Sequence, residues 1–367
     1  YSNYLAADTY AATLDIKTGL DVGEHTEITE VSYSNTAETQ DVVIRMNGGK
    51  LTVNDTTASK QFFYGTAQSA VITTGNECFY VDGVIGAMSI LQGTVVAQSN
   101  SYICLEEVAA NTTLQETKGG VFVVSESVDV AKINGDVVKK IGYTVSDGTI
   151  TASGEKAANS FFNISNIETL HKFRSAINTG IEIPYAKLSA DIDVSAEEWF
   201  PIGTWENPYH GQFDGGNHAI VGLTKNSTDV DDIYSTGSTT KIKGNVFGFF
   251  GIVGNGNVTI QLLAGTQVGA LIGYSASNGK FKSEAANGKW NNNETIGKHN
   301  LVVSNITVDG SIKGKQSVGG VIGRIYSEGK VVVSNCVNNA DIIATSQAQV
   351  AGIVGYIYYP QDVSFVG

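Results

Sequence analysis

An aspartate and two histidines lie close together near the middle of the chain. Asp214 precedes a Gly-Gly pair, and His210 and His218 lie on either side of it at equal distances in the sequence. A carboxylate and an imidazole at this spacing could act as general acid and base, because both groups titrate and both can hold a transferable proton. The run Phe-Asp-Gly-Gly-Asn-His is also typical of a turn in which the aspartate satisfies backbone amides. We expect the turn and predict no catalytic residue.

Clustered carboxylates offer a second kind of chemistry. The cluster consists of Asp229, Asp231 and Asp232, and Asp191 and Asp193 could join it. Calcium takes about six to eight oxygen ligands, so aspartates at this density could bind it. The segment lacks the residue pattern of a calcium-binding loop, and a solvated loop accounts for it. We therefore predict no metal site and no cofactor, with calcium as the one ion that the residues would suit.

Aromatic side chains offer a third kind of chemistry, because exposed flat rings can stack on sugars. Trp205 and Tyr209 lie in a loop-like run, and we predict that they contribute to a ligand surface. Trp199 is assigned to packing. The other aromatic candidates for such a surface are Tyr234, Trp290, Tyr356, Tyr358 and Tyr359.

The charge of the chain excludes some partners. The formal net charge is −13, the isoelectric point is near 4.8, and there are three arginines, Arg45, Arg174 and Arg324. A nucleic-acid groove needs a basic stripe, which the sequence lacks, so we predict no nucleic-acid partner. An anionic membrane surface is disfavoured for the same reason, and so are acidic polysaccharides outside a local basic cleft. No stretch approaches the roughly 18 apolar residues of a membrane span.

Three cysteines, Cys78, Cys104 and Cys336, are too few for a disulfide framework. Cys78 and Cys104 could lie on neighbouring repeats. No spacing of cysteine and histidine resembles a zinc site. We expect all three to be small, buried, apolar side chains.

The elements that position these residues follow from a repeated phrase. One pattern of apolar and small residues occurs four times in the second half of the chain. A short apolar strand that recurs in this way predicts a solenoid, in which equivalent positions stack on one another. Asn305 and Asn335 adjoin strands and are expected to form turn or ladder hydrogen bonds. The copies of the phrase are residues 246–251, 268–273, 318–323 and 350–355.

The first part of the chain repeats less regularly. Residues 1–158 contain short β-type runs separated by turn signals. Runs that begin at Leu51, Val71 and Met88 follow one another at intervals typical of stacked strands, although an antiparallel sandwich is an alternative. A small, polar segment follows, and we divide the chain into a β-rich region at 1–158 and a repeat region at 159–367.

One short amphipathic helix is predicted near residues 166–178. Ser165 or Asn166 can cap its start, and Glu168 would complete a capping box with Ser165. The sequence Asn-Thr-Gly at 178–180 ends it. We expect its apolar stripe to pack over the start of the C-terminal repeats. The stripe consists of Ile167, Leu170, Phe173 and Ile177.

These segments resemble a known family. A helix ending in Asn-Thr-Gly, the strand Leu-Ser-Ala-Asp-Ile-Asp and the runs Trp-Phe-Pro-Ile-Gly and Phe-Asp-Gly-Gly-Asn-His resemble the opening of repeat regions in bacterial surface proteins. The later phrases resemble the GLUG repeat of Bacteroidetes surface lipoproteins and of non-catalytic parts of secreted proteases. The resemblance covers roughly residues 160–360. It implies a right-handed parallel β-helix of the pectin-lyase-like type and an adhesin-like role, and it implies no catalytic residues.

The prediction is therefore an all-β, non-catalytic protein of a bacterial cell surface that contacts glycans or host or matrix proteins. One alternative is a polysaccharide lyase or glycoside hydrolase on a β-helix, which the fold alone does not establish. Another is a structural spacer or stalk. Because the chain begins at Tyr1 without a Met and ends in a strand-like run, we expect an outer-membrane anchor before Tyr1 and further chain after Gly367.

Overall fold

A computed structural model gives the fold as two compact units. The N-terminal unit comprises Tyr1–Thr144, Ala152–Phe162 and His171–Glu182, and the C-terminal unit comprises Val145–Thr151, Asn163–Leu170 and Ile183–Gly367. The boundary at residue 158 stays a prediction. The structure describes residues 3–4, 13–16, 20–21, 30–35, 41–98, 101–110, 112–117, 120–124, 128, 133–134, 139–140, 142–146, 149–153, 162–183, 185–197, 199–204, 207–223, 248–254, 258–261, 271–276, 300–314, 318–326, 330–344, 349–358 and 362–367.

The N-terminal unit is built on one curled sheet. Its strands are β1 (Asn3–Tyr4), β2 (Thr13–Ile16), β3 (Leu20–Asp21), β4 (Glu30–Asn35), β5 (Val42–Asn47), β6 (Lys50–Asp55), β7 (Gln61–Ala67), β8 (Ser69–Ala97), β9 (Tyr102–Val108), β10 (Thr112–Glu116), β11 (Val121–Val124), β12 (Ile133–Asn134) and β13 (Lys139–Lys140). Successive stretches of β8 pair with β6, β7, β9 and β10, which a flat sheet would not allow. These pairings are parallel, as are β4–β6 and β5–β7. The antiparallel sandwich considered for this region is therefore wrong for these strands.

Alternation of side chains builds the core of this unit. Inward residues of β4 to β6, such as Val31, Ile44 and Val53, are fully or almost fully buried. Burial of one such side chain stabilises the fold by roughly 1.5–3 kcal/mol. Leu51 pairs with Ala70 and not with Val71, which is 37% exposed. The interval from Leu51 to Val71 that the sequence suggests is therefore one residue longer than the true offset between β6 and β8. A shift of one residue moves a side chain to the other face of a strand.

Helix α1 (Ile167–Asn178) confirms the predicted helix. Asn166 is the cap, because its Oδ1 accepts a hydrogen bond from Thr169 N at 2.8 Å, and Thr169 Oγ1 accepts one from Ser165 N at 2.9 Å. At the other end Gly180 has a φ of 87°, and Ile181 N donates to Ala176 O at 2.9 Å. This is a Schellman ending, as Asn-Thr-Gly predicts. Among the described residues no helix has the length and apolar character to cross a membrane.

The second half of α1 packs on the N-terminal unit. Phe173 is fully buried, with its ring centroid 5.6 Å from that of Phe162. Lys172 forms an ion pair with Asp82 of β8, and Gln68 Nε2 donates to Thr179 O at 2.6 Å. The expectation that the helix covers the C-terminal repeats is therefore wrong for residues 171–179.

Strands β14 (Gly142–Ser146) and β15 (Thr149–Ser153) pair with each other. The strands from β17 onward pair in parallel. One ladder has the order β16-β17-β19-β22-β24-β29-β34, and another has the order β21-β23-β28-β33. The two-stranded ladders are β18-β20, β25-β30, β26-β31 and β27-β32. The strands are β16 (Phe162–Ile164), β17 (Tyr185–Leu188), β18 (Ile192–Asp193), β19 (Gln212–Asp214), β20 (Ile220–Val221), β21 (Phe250–Gly254), β22 (Val258–Gln261), β23 (Ile272–Ala276), β24 (Leu301–Ser304), β25 (Thr307–Val308), β26 (Ser311–Gly314), β27 (Val318–Gly319), β28 (Ile322–Tyr326), β29 (Lys330–Ser334), β30 (Val337–Asn338), β31 (Asp341–Ala344), β32 (Val350–Ala351), β33 (Val354–Tyr358) and β34 (Asp362–Val366).

The register of these strands confirms that the four copies of the phrase are equivalent. Phe250 pairs with Ile272, Ile272 with Ile322, and Ile322 with Val354. Each of these residues is the fifth of its copy, so the intervals between the copies are the strand-to-strand offsets. Identical positions of the phrase therefore lie side by side in one sheet.

Asparagines line the turn between β24 and β25 and the equivalent turn after β29. Asn305 and Asn335 have φ values of 57° and 51°, in the left-handed region that asparagine tolerates. Asn335 Nδ2 donates to Asn305 Oδ1 at 3.2 Å, and Asn339 Nδ2 donates to Asp309 Oδ1 at 3.0 Å. The predicted structural role of Asn305 and Asn335 is confirmed.

Candidate functional site

Asp214 holds the turn that its sequence predicts. It ends β19, and its Oδ1 accepts a hydrogen bond from Gly216 N at 2.9 Å. Gly216 and Asn217 have φ values of 58° and 66°, and His218 N donates to Gly215 O at 2.8 Å. Asp214 thus satisfies the backbone of a tight left-handed turn, and this prediction is confirmed.

The two histidines have partners other than Asp214. Nδ1 of His210 lies 3.1 Å from Pro208 O, and Nδ1 of His218 lies 3.2 Å from Asp191 Oδ1. Asp214 Oδ2 lies 3.5 Å from Nζ of Lys187, its register partner on β17. The structure therefore brings together Lys187 with Asp214 and His218 with Asp191.

These two pairs flank Gly216. A Cβ added there would lie 3.3 Å from Lys187 Cε and 3.4 Å from His218 Cδ2. Tyr185 lies two positions before Lys187, on the same face of β17, and desolvation, followed by the charge of Asp214, raises its pKa. We call Tyr185, Lys187, Asp191, Asp214 and His218 the Asp214 cluster.

Local hydrogen bonds account for the electrostatics of the neighbouring aspartates. The N–H of Ala219 and, less strongly, His218 lower the pKa of Asp191. The hydroxyl and N–H of Ser195 lower the pKa of Asp193 in the same way. Within the described ranges no three His, Cys, Asp or Glu side chains are grouped closely enough to hold a metal. Asp229, Asp231 and Asp232 lie outside those ranges.

The aromatic predictions have different outcomes. Trp205 lies outside the described residues. Tyr209 is 1% exposed and its ring stacks on Phe250, with centroids 4.9 Å apart, so the expected surface position of this ring is wrong. Trp199 is fully buried, stacks on Phe249 at 5.3 Å and donates from Nε1 to Phe249 O at 3.3 Å, which confirms its assignment to packing.

A partly exposed row of one arginine and three aromatic side chains lies on β5, β7 and β8 of the N-terminal unit. The rings of Phe62 and Tyr80 stack with centroids 4.9 Å apart and planes 13° apart. Cζ of Arg45 lies 5.1 Å from the ring centroid of Tyr64. Both pairs are register partners on neighbouring parallel strands. We call Arg45, Phe62, Tyr64 and Tyr80 the Arg45 surface.

Charged side chains belong to the Arg45 surface or lie beside it. Arg45 is exposed, and the three rings are half-buried. Asp82, the register partner of Tyr64, is engaged by Lys172, with 20% and 12% of the two side chains exposed. Desolvation, followed by the neighbouring Cys78 and Glu77, raises the pKa of Tyr80. Tyr80 therefore keeps its proton, and remains a hydrogen-bond donor, throughout the neutral range.

The arrangement offers donors to a ligand. Rings that stack across strands turn their faces to each other and their edges outward, and aromatic edges carry the positive part of the ring quadrupole. The tyrosine hydroxyls and the guanidinium add N–H and O–H donors. An oxygen-rich ligand matches such a surface.

Sequence reasoning missed this surface, because its residues are distant from one another in the sequence and no repeated phrase links them. A signal is present nonetheless. Arg45 is followed by Tyr64 at the same interval that separates Val43 from Phe62, and this interval is the offset between β5 and β7. The offset between β7 and β8 likewise leads from Phe62 to Tyr80. Equal intervals of this kind identify side chains on one face of a stack of parallel strands.

Comparison with known proteins identifies no relative: no family model, no curated protein and no solved structure matches the chain. The arguments about its function therefore rest on the geometry of the Arg45 surface and of the Asp214 cluster.

Proposed function

We propose that this protein is a non-catalytic, adhesin-like binding module of a bacterial cell surface, and that it contacts glycans through the Arg45 surface. The observation that carries the proposal is the row of half-buried rings beside the exposed guanidinium of Arg45. Such rings lose little conformational freedom on binding, since their neighbours already hold them. Sugars supply the ring oxygens and hydroxyls that these donors require.

The proposal extends to the fold. We infer that the parallel ladders form a right-handed β-helix of the GLUG-repeat type, extracellular and anchored in the outer membrane. The in-register pairing of the repeated phrase supports a helical winding, because each copy contributes one strand to the sheet β21-β23-β28-β33 and is followed by one strand of the sheet that contains β22, β24, β29 and β34. An experimental structure that shows the handedness of the connections tests this inference, and a left-handed or non-helical path would contradict it.

The experiment for the function is glycan-array binding of the full chain. We expect Arg45→Ala to weaken binding to the preferred glycan by about tenfold, or about 1.4 kcal/mol, because it removes a donor and the cation that covers Tyr64. Lys50→Ala is the matched control, since Lys50 is an exposed cation at the start of β6. We expect the control to bind as the wild type does.

Two outcomes would contradict the glycan proposal. One is an absence of binding across broad arrays of glycans. The other is equal loss of binding in Arg45→Ala and in Lys50→Ala, which would indicate a general charge effect. If the chain binds matrix proteins and no glycan, and Arg45→Ala weakens that binding, the ligand of the Arg45 surface is a protein.

One observation favours a second candidate function, polysaccharide cleavage. In the Asp214 cluster the side chains of Lys187, Asp214 and His218 lie next to Gly216, and Asp191 is in hydrogen-bond contact with His218. Such groups could act as general acid and base toward a sugar. Depolymerisation of a polysaccharide by the wild type, lost in Asp214→Asn, would establish this function in place of the non-catalytic one.

A further inference from the structure

Side chains on β5, β7 and β8 form two rows that cross the strands, because register partners on parallel strands share a face of the sheet. One row, which we call the apolar row, consists of Val43, Phe62 and Tyr80. The other, the polar row, consists of Arg45, Tyr64 and Asp82. Each of these side chains is half-buried or exposed. Neighbouring strands lie about 4.8 Å apart, and positions two apart along a strand about 6.6 Å, so the rows are adjacent parallel strips.

The polar row offers both donors and acceptors of hydrogen bonds. The Tyr64 hydroxyl has no hydrogen-bond partner within the part of the chain that the structure describes. Asp82 Oδ1 accepts from Lys172 Nζ, and 20% of the Asp82 side chain is exposed. A carboxylate has about four acceptor sites, so the ion pair with Lys172 leaves acceptor sites for a ligand. Tyr64 and Asp82 can therefore bond to the hydroxyls of a sugar.

The apolar row supplies the complementary side of the surface. The rings of Phe62 and Tyr80 stack with centroids 4.9 Å apart, and Val43 precedes them in the row. A pyranose ring has C–H groups on its faces and hydroxyls around its edge. A chain of such rings that crosses the strands keeps its hydroxyl edge over the polar row and its C–H groups over the apolar row. A chain that follows one strand would pass from one row to the other within two residues.

We propose that the Arg45 surface binds an extended, linear, neutral glycan whose successive sugar units lie over successive strands, and that Asp82 accepts hydrogen bonds from its hydroxyls. The inference rests on the proposed glycan-binding function, and it adds the class of glycan and the direction in which the glycan lies. A neutral glycan fits because the carboxylates of an acidic one would face the carboxylate of Asp82. The surface then recognises units within a sugar chain, and a single terminal sugar fills only part of it.

The dependence of affinity on ligand length tests this direction. The probes are linear oligomers of glucose, of mannose and of xylose, from one to six units long, with galacturonate oligomers as the acidic comparison. Titration calorimetry with the full chain measures each affinity. We expect the affinity for at least one neutral series to rise about tenfold or more from one unit to three and then to level off, because the rows cross three strands.

A change at Tyr64 locates the ligand. Tyr64→Phe removes the hydroxyl and keeps the ring, and we expect it to weaken binding of the neutral trimer about fivefold, the loss of one hydrogen bond. Tyr356→Phe is the matched control, because Cζ of Arg324 lies 5.1 Å from the Tyr356 ring centroid, as Cζ of Arg45 does from that of Tyr64. The control should bind the trimer as the wild type does.

A change at Asp82 tests its role as acceptor. Asp82→Asn should weaken binding of the neutral trimer about tenfold, because hydrogen bonds to a charged group are the stronger kind, and it should also reduce the discrimination against galacturonate. Loss of the ion pair with Lys172 alone would leave that discrimination unchanged. Asp362→Asn, at an exposed position of β34, is the control for net charge. Far-ultraviolet circular dichroism checks folding, and if Asp82→Asn is unfolded, Tyr64→Phe decides.

The outcomes separate this inference from the proposed function. Binding that is lost in Arg45→Ala but does not change with the length of the oligomer would overturn the inference and leave the glycan proposal in place. Tighter binding of the galacturonate series, or wild-type affinity in Tyr64→Phe and Asp82→Asn, would do the same. If none of the oligomers binds, the inference is wrong, and the glycan array decides separately whether the proposed function is wrong as well.

Discussion

At the scale of single residues, five hydrogen bonds hold the carboxylate of Asp55 in the N-terminal unit. Its side chain is fully buried, at the end of β6. Oδ2 accepts hydrogen bonds from Tyr33 Oη at 3.0 Å, Asn35 Nδ2 at 3.1 Å and Gln61 Nε2 at 3.0 Å. Oδ1 accepts two more, from the N–H and the hydroxyl of Thr57. Neutral donors thus replace the water that a buried carboxylate would lose.

Removal of this carboxylate should destabilise the fold. Asp55→Ala deprives Tyr33, Asn35 and Gln61 of a shared buried acceptor. An unsatisfied buried group costs about 1–3 kcal/mol, so we expect a loss of roughly 3 kcal/mol in the free energy of unfolding. Urea denaturation measures it. Asn54→Ala, at the exposed neighbouring position, is the control, and a similar small loss in both variants would show that the network contributes little.

The lowered pKa of Asp191 should make the stability of the fold depend on pH. Hydrogen bonding by Ala219 N–H and His218 lowers its pKa in the folded chain. A carboxyl with a lower pKa when folded stabilises the fold above its unfolded pKa of about 3.9, and this contribution disappears as the pH falls through the folded value. We expect Asp191→Asn to unfold at a lower temperature than the wild type at pH 6, and the gap to narrow below about pH 4.

Thermal unfolding at a series of pH values measures this gap. Asp362→Asn, which neutralises an exposed aspartate of β34, is the matched control for the change in net charge. If both variants follow the same curve, the hydrogen bonds of Asp191 do not couple its protonation to folding.

At the scale of elements, sequence predicted best where the chain repeats itself. The four-copy phrase predicted the strand register of β21, β23, β28 and β33, because each copy carries the same pattern of apolar and small residues. The helix was equally predictable from the sequence, since its cap, its apolar stripe and its glycine ending are local signals. The surface on which it packs was not predictable, because an apolar stripe does not specify which apolar surface it contacts.

The aromatic side chains of the candidate site show the same limit of prediction from local sequence. The loop-like run around Tyr209 predicts a surface position for its ring. In the structure it forms an isolated bridge with Val253 and stacks on Phe250, far along the chain from it. The Arg45 surface went unnoticed because its residues recur without a repeated phrase around them. Both misses depend on contacts between residues distant in sequence, and local polarity does not report these.

At the scale of the whole molecule, each of the two units buries apolar residues of its own. The N-terminal core includes Ile44 and Phe63, and fully buried residues of the C-terminal unit include Phe250 and Ile322. Units with their own cores can open separately, and amide exchange reports such openings with their own free energies. A local destabilisation should therefore spread through one unit before the other.

Paired variants test this separation by hydrogen exchange and mass spectrometry. We expect Asp55→Ala to speed exchange in peptides from β4 to β8 and to leave those from β24 and β29 unchanged, because its network lies within the N-terminal unit. Ile322→Ala should give the mirror result, since truncation of a fully buried isoleucine costs about 2–5 kcal/mol in the C-terminal unit. Equal acceleration in all these peptides in either variant would mean that the chain opens as one cooperative structure. In that case a sugar bound at the Arg45 surface would also slow exchange in peptides from β24 and β29, because ligand binding would then stabilise the whole chain.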